Sequence, residues 1–425
     1  MRSKALKRIL LRTLNAMNCT IFSLSLVSIV TFGLQTSRAD WPRFLGPNGN
    51  GVIAQDDAFN SDWSSKPPKA LWSRQIGIGC SSFAIAGEKV LTLGNQDSKD
   101  TVWCFDSEGG RVIWEYTYDE PKGAKYYTGG TSSTPTIDGD RVYTVSKQGK
   151  LFCFDINSGA VLWQKDYKED FDGKRQSWGW AASPVVYGEL LLTDPGSKKG
   201  SLVALNKLTG EKVWAAGDEE PGYSTPVIYQ SDGTDYAAVF HKKALVAYDL
   251  QNPGEPVFRF PWRTSYGVNA TNPHYLDGKF YLGSGYGQGY AVIDITQPKP
   301  EIIHRDRERD LKVQTSLRIS DRVIAQYGGD GKPDDLVAID FESGKTHWKH
   351  DVPGDLGNPI AIGEKILVFT DSGHVILGED TGDSFKELGR HHALLGTSWA
   401  PPAYSDGKLL IRNNQGKAVC LDVSK

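Results

Sequence analysis

Cys104-Phe-Asp-Ser-Glu-Gly-Gly-Arg-Val-Ile-Trp114 is written again, with changes, at Cys153 to Trp163, Ala204 to Trp214 and Ala338 to Trp348. Each copy reads as a small residue, an apolar residue, Asp or Asn, three variable residues, Gly, three more, then Trp. Weaker copies sit at Ala247 to Phe258 and around Asp294 and Gly382, and Cys420-Leu-Asp422 starts another. A recurring period filled with short β-type runs is the signature of a repeat architecture.

The other half of each repeat is as regular. Ser133-Thr-Pro135 precedes Asp138-Gly139, Ser183-Pro184 precedes Gly188, and Asn272-Pro273 precedes Asp277-Gly278. Asn358-Pro359 and Pro401-Pro402 are followed by Gly363 and Asp406-Gly407 in the same way. An apolar run, a turn tolerant of positive φ and a second β-branched run make a hairpin. Proline lacks a backbone donor, so its strand is expected at a sheet edge. Each unit is therefore four strands: A after the Pro, B after the Gly turn, C ending at the Asp, and D carrying the Trp. In the C–D turn, Asp-x-x-Ser/Thr-Gly, the carboxylate can accept backbone N–H groups ahead of it while Gly takes the left-handed conformation.

Four-stranded units around an axis make a β-propeller. A strands starting near 81, 133, 183, 225, 272, 316, 358 and 401 predict an all-β, eight-bladed propeller. The last blade lacks a D strand, and Ala70-Leu-Trp72-Ser-Arg-Gln-Ile76 has that pattern with no A, B or C before it. It is expected to complete the last blade and close the ring, which removes open sheet edges. The expected organisation is a signal peptide over 1–39, an N-terminal extension over 40–69 and the propeller over 70–425.

Residues 1–39 open with Arg2, Lys4, Lys7, Arg8 and Arg12, continue with an apolar stretch from Cys19 to Leu34, and end at Ser37-Arg38-Ala39. That is the pattern of an export leader cleaved before Asp40. A periplasmic or secreted protein is expected, with no transmembrane segment in the mature chain. The full chain carries 48 basic and 51 acidic residues; the leader holds six of the basic and none of the acidic, which leaves a mature net charge of −9. That balance argues against nucleic acid and anionic membranes as partners. Cys104, Cys153 and Cys420 take the strand-C position where other repeats have Ala, so they are expected to be buried small residues in separate blades. Cys80 stands alone, and no metal site is expected.

The Ala-x-Asp-x-x-Thr-Gly-x-x-x-Trp pattern resembles the pyrroloquinoline-quinone (PQQ) repeat family over residues 70–425. The stretch Asp40-Trp-Pro-Arg-Phe-Leu-Gly-Pro-Asn-Gly-Asn-Gly51 is similar to the mature N-terminus of its secreted bacterial members. The resemblance implies one of two functions. Quinoprotein alcohol dehydrogenases of this fold bind PQQ with calcium, whereas an outer-membrane assembly scaffold binds a protein partner and uses no cofactor. In both, the repeat Trp (here Trp72, Trp114, Trp163, Trp214 and Trp348) belongs to blade packing. The dehydrogenases' adjacent cysteines are missing here, and their calcium ligands and catalytic Asp find no matching motif. The expectation is a monomeric, non-catalytic scaffold with no cofactor and another protein as partner. A PQQ- and calcium-dependent alcohol dehydrogenase is the first alternative, and a glycan-binding propeller the second.

Strand order places the A–B and C–D turns on one face and the B–C and D–A loops on the other. The irregular D–A loops carry Tyr126, Tyr127, Arg175, Trp178, Trp180, Tyr223, Trp262, Arg263, Tyr266, Arg390 and Trp399. These are expected to ring the channel mouth and bind the partner, since loops on a rigid scaffold commonly carry binding and Trp, Tyr and Arg are its usual anchors. Gly283-Ser-Gly-Tyr-Gly-Gln-Gly289 reads as a B–C hairpin rather than a phosphate loop, and Asp330-Gly-Lys-Pro-Asp334-Asp335 as a solvated turn rather than a calcium site. His391-His392 and His347-x-x-His350 point their rings to opposite faces of extended chain. Arg305-Asp-Arg-Glu-Arg-Asp310 reads as a solvated loop.

Overall fold

The computed structural model describes residues 40–125, 127–328 and 335–425. Tyr126, the expected leader and most of the Asp330–Asp335 turn lie outside them. The described chain forms eight antiparallel sheets, one per repeat, with a single short helix, Tyr167–Phe171. Each A strand begins within three residues of its expected position, from Ala84–Ala86 in blade 1 to Ala403–Ser405 in blade 8. A strands lie at one edge of their sheets in seven blades, as the proline leads one to expect; in blade 7 a further strand covers the A strand. In blade 8, Lys69–Gln75 pairs antiparallel with Lys417–Asp422, so the first long strand of the chain is the D strand of the last blade.

The repeat Trp has a specific task at each seam. Trp72, Trp114 and Trp163 donate their indole N–H to Ser107, Ile156 and Lys207 carbonyls in the C–D turn of the next blade, at 3.1, 2.8 and 3.2 Å. Trp348 donates to the Asp380 carboxylate at 2.9 Å, while Trp214 packs half-buried on the core of blades 3 and 4. The turn glycine is needed twice over. Gly110, Gly159 and Gly210 have φ of 63°, 71° and 72°. A Cβ on any of them would fall within 2.5–2.7 Å of the neighbouring indole. The turn Asp also acts as expected: Asp106 accepts from the Gly109 and Arg111 N–H groups at 2.8 and 2.7 Å.

A second belt joins the blades around the channel. In blades 2, 3, 4, 5 and 7 the residue before the A-strand proline uses its side-chain oxygen to accept an N–H from the preceding blade. Thus Ser82 N–H donates to Thr134, Thr134 N–H to Ser183, Ser183 N–H to Thr225 and Thr225 N–H to Asn272, at 2.9–3.2 Å. His274 meets Ser316 at 2.9 Å, and Thr315 N–H donates to Asn358 at 2.9 Å. Asn358 donates to the Trp399 carbonyl and Ser82 Oγ to the Pro401 carbonyl, so every neighbouring pair is linked, blade 8 to blade 1 included. The Ser/Thr/Asn-Pro dipeptide thus pairs proline's missing donor with an acceptor for the previous blade.

The extension is the feature that periodicity could not foresee. Trp41 bridges Ile85 in blade 1, and Pro42 accepts the Ile137 N–H of blade 2 at 2.7 Å. Arg43, Phe44, Asn48 and Gly49 lie beside Pro184, Pro226 and Asn272 of blades 3, 4 and 5. Gly51 accepts the Ala361 N–H of blade 7 at 2.8 Å. Val52–Ile53 then adds a parallel strand to the A strand Gly357–Ile362, which makes blade 7 five-stranded rather than four-stranded. Asn60 donates to the Val423 carbonyl at 2.8 Å. Trp41 and Leu45 are fully buried. The extension therefore runs around the inner strands and plugs the channel at the end where the A–B turns lie, as the bonds from Gly87 to Asp40 and Gly363 to Ile53 show.

Cys104, Cys153 and Cys420 are buried free thiols, and burial raises each pKa to about 12, so they behave as small apolar residues.

Candidate functional site

Above the plug, on the D–A loop side, the channel opens into a pocket of about 280 Å³. Its floor is Phe44, and its walls include Tyr127, Trp178, Tyr223, Tyr286 and Trp399. The remaining lining comes largely from residues just before the A strands, such as Ser132, Ala181 and Thr315. Rigid strands therefore fix the wall, and the loops add aromatic lips. Tyr127 stacks on Trp399 with ring centroids 6.0 Å apart, and Trp178 stands edge-on to Tyr223 at 6.2 Å. The Trp178 indole donates to the Lys125 carbonyl at 3.0 Å, which sets the tilt of its ring.

A groove of about 760 Å³ shares Lys125, Trp178 and Tyr286 with this pocket and continues along Lys243, Arg263 and Tyr266. Tyr266 is 61% exposed and meets Tyr286 edge-on at 5.1 Å. Among the described residues the groove lining includes four cations, Lys125, Lys242, Lys243 and Arg263, and no carboxylate. Lys242 is tied to Glu220. Hydrogen bonds from Lys174 and Lys242 hold the Glu220 pKa down at about 2.

Beneath the lip lies a buried ionic cluster. Lys147, in the B–C turn of blade 2, sits over the Tyr127 ring at 4.5 Å and reaches its hydroxyl. Burial lowers its pKa to about 8. Asp100 accepts from Asn95 at 2.7 Å, and burial raises its pKa to about 7. Arg412, 1% exposed, donates to the carbonyls of Gly77, Ser81 and Leu93 at 2.6–3.2 Å and clasps blade 8 to blade 1 beside Cys80. Burial lowers its pKa to about 10.

Four expected mouth residues, Tyr127, Trp178, Tyr223 and Trp399, meet in the pocket, while Arg263 and Tyr266 line the groove. Arg175 is half-buried behind the lip, close to Gly123. Three others are elsewhere. Trp180 and Trp262 are each 2% exposed. Trp180 donates to the Pro195 carbonyl, and Trp262 donates to Ser284 Oγ under the Arg305 guanidinium. Both pack as core because each closes a loop onto the neighbouring B–C turn. Arg390 belongs to the outer strand Phe385–His392 and pairs with Glu387 at 2.8 Å. Arg305-Asp-Arg-Glu-Arg-Asp310 is not a simple solvated loop. Arg305 stacks on Trp262, and buried Asp310 accepts the Gly287 and Gly289 N–H groups at 2.8 and 3.0 Å. That carboxylate occupies the N–H groups that a phosphate would need at the glycine-rich hairpin.

Phe44, Tyr286 and Cys80 line the pocket without having been singled out. Tyr286 was legible, since strand order puts B–C turns on the same face as D–A loops; Phe44 had no periodic signal. Among the described residues no group of three or more His, Cys, Asp and Glu is placed to hold a metal, and no helix is long and apolar enough to cross a membrane.

A family model described as outer membrane protein assembly factor BamB matches residues 98–311, half of the chain. The chain belongs to that family. Within the BamB-type fold, similar solved structures include BamB from Moraxella catarrhalis, with 16% identity and a TM-score of 0.58 over 84% of this chain and 99% of that one. Quinohemoprotein alcohol dehydrogenase ADHIIG from Pseudomonas putida HK5 shows 12% identity and a TM-score of 0.64 over 91% of this chain and 80% of that one. A computationally designed protein, Ika8, gives a TM-score of 0.56 at 12% identity over 83% of this chain and 99% of that one. Among curated proteins, no sequence matches this chain. These likenesses establish the propeller; the BamB-type fold hosts more than one activity, so function must be argued from the site.

Proposed function

We propose that the protein is an exported, non-catalytic binding module that receives an apolar side chain of a partner protein in its channel pocket. The observation that carries this reading is the lining itself. Among the described residues, six aromatic rings surround a blind pocket whose polar groups include the Lys125 ammonium, the Ser132, Thr225 and Thr315 hydroxyls and the Cys80 thiol, with no carboxylate or amide side chain. A pocket of this kind desolvates a buried aromatic or aliphatic anchor, the usual source of interface energy. Sugar recognition needs precisely placed polar groups as well as stacking surfaces, and calcium needs several oxygen ligands with carboxylates among them. Among the described residues the lining offers no carboxylate to calcium, so those residues do not fit a calcium-bound quinone. The leader pattern over 1–39 and the family's name support a location in the cell envelope.

The test is selection of peptides from a random displayed library against the purified protein. Recovered peptides are expected to share one large apolar residue and to bind Trp178→Ala at least ten-fold more weakly, with the variant's melting temperature little changed. Binders with no apolar residue in common, indifferent to Trp178 and Trp399, would sink the reading.

A further inference from the structure

We infer that the segment received by this face is acidic on the side that leaves the pocket: an aromatic or aliphatic anchor followed by Asp and Glu lying in the cationic groove. The inference rests on the pocket reading above and adds the partner's charge. Pocket and groove adjoin at Lys125, Trp178 and Tyr286, so a segment filling the first has the second beside it as its path outward. Among the described residues the groove lining brings together Lys125, Lys242, Lys243 and Arg263 without a carboxylate, although the chain as a whole has a net charge of −3. A local field opposite in sign to the molecule's own is a selective feature. It attracts acidic segments to this face while the rest of the surface repels them.

The cations differ in what they can give. Lys242 is partly neutralised by Glu220, which also holds Lys174. Lys243 and Arg263 are exposed beside Tyr266, where a guanidinium can take a carboxylate in two-point fashion. Lys125 stands 5.9 Å from the Trp178 ring centre, and Lys312 5.7 Å from that of Tyr286. The lips that grip the anchor thus carry positive charge on their outer side. An anionic polysaccharide would satisfy the cations but leave the apolar pocket unfilled, which favours the peptide.

The experiment compares three pools of fluorescein-labelled twelve-residue peptides by anisotropy with the purified protein. One pool has a central Phe, Trp or Leu with Asp/Glu-rich flanks, the second the same anchors with Ser/Gly flanks, and the third acidic flanks with Ala at the centre. The acidic anchored pool is expected to bind at least ten-fold more tightly than the neutral anchored pool at low salt. That advantage should collapse in 0.5 M salt and in the double variant Lys243→Glu, Arg263→Glu, whereas Trp178→Ala should weaken both anchored pools alike. Equal affinity for both anchored pools would overturn the acidic partner and leave the pocket reading standing. Binding that ignores the anchor, or a sulfated oligosaccharide that outcompetes the acidic anchored pool, would overturn both.

Discussion

A chain lacking residues 69–75 is expected to lose cooperative folding of the whole ring rather than of one blade. That strand pairs with Lys417–Asp422 along its length, and without it the last sheet ends on a row of unpaired N–H and C=O groups. Its Trp72 is buried and bonds to the Ser107 carbonyl in blade 1, and Arg74 reaches the Gly109 and Gly110 carbonyls at 3.0 and 2.7 Å. Truncating a buried Trp alone costs about 3–5 kcal/mol, and each lost hydrogen bond adds about 1 kcal/mol. The sum rivals the roughly 5–15 kcal/mol by which domains are stable. Because Pro-strand hydrogen bonds and repeat tryptophans link every blade to the next, the loss should spread around the ring. Calorimetry checks this: the deletion should abolish the main transition, and Trp72→Ala should lower a single transition by several degrees. A deletion product that melts at the wild-type temperature, or a variant in which one blade melts separately, would refute the argument.

Asp100→Asn should raise stability most at pH 8, by less than half as much at pH 5, and hardly at all near pH 3. The carboxyl is 1% exposed, and its folded pKa of about 7 lies well above its ordinary value near 3.8, with burial the main cause and Glu120 adding to it. The folded state therefore holds a proton that the unfolded chain releases. Between the two pKa values the unfolded state binds fewer protons, so stability falls as pH rises through that window and levels off above about 7. At about 1.4 kcal/mol per pKa unit the full penalty is on the order of 4 kcal/mol. Asparagine keeps the shape and can still accept the Asn95 hydrogen bond, but it never has to ionise. Denaturant midpoints measured from pH 5 to 8.5 should show the variant's advantage growing up to about pH 7.5 and then holding. An advantage independent of pH would mean that Asp100 ionises freely in the fold.

The blades were legible because they repeat. Trp, turn Asp, turn Gly and proline each recur at fixed spacing, and each performs a local task that needs only the neighbouring blade. The residue before proline was visible too, but its purpose was not, since its partner lies 42 to 52 residues away in sequence. The mouth aromatics were readable as a set from strand order, yet sequence could not separate Trp178, which lies at the lip, from Trp180, two residues on and buried against Tyr167. That distinction depends on where the loop turns. The plug was the least legible part. Trp41, Phe44 and Leu45 occur once, without period, and their positions follow from the shape of a channel that exists only after the ring has formed.

The central claim is that the channel pocket above Phe44 is where a partner's side chain goes. Cys80 lines that pocket, whereas the other three described thiols are fully buried, so its alkylation reports on occupancy. The decisive measurement is the rate of Cys80 modification by iodoacetamide, followed by mass spectrometry, with and without a saturating selected peptide. At least a ten-fold slowing at Cys80 is the result the account predicts. An unchanged rate with the peptide demonstrably bound would place binding elsewhere and contradict it.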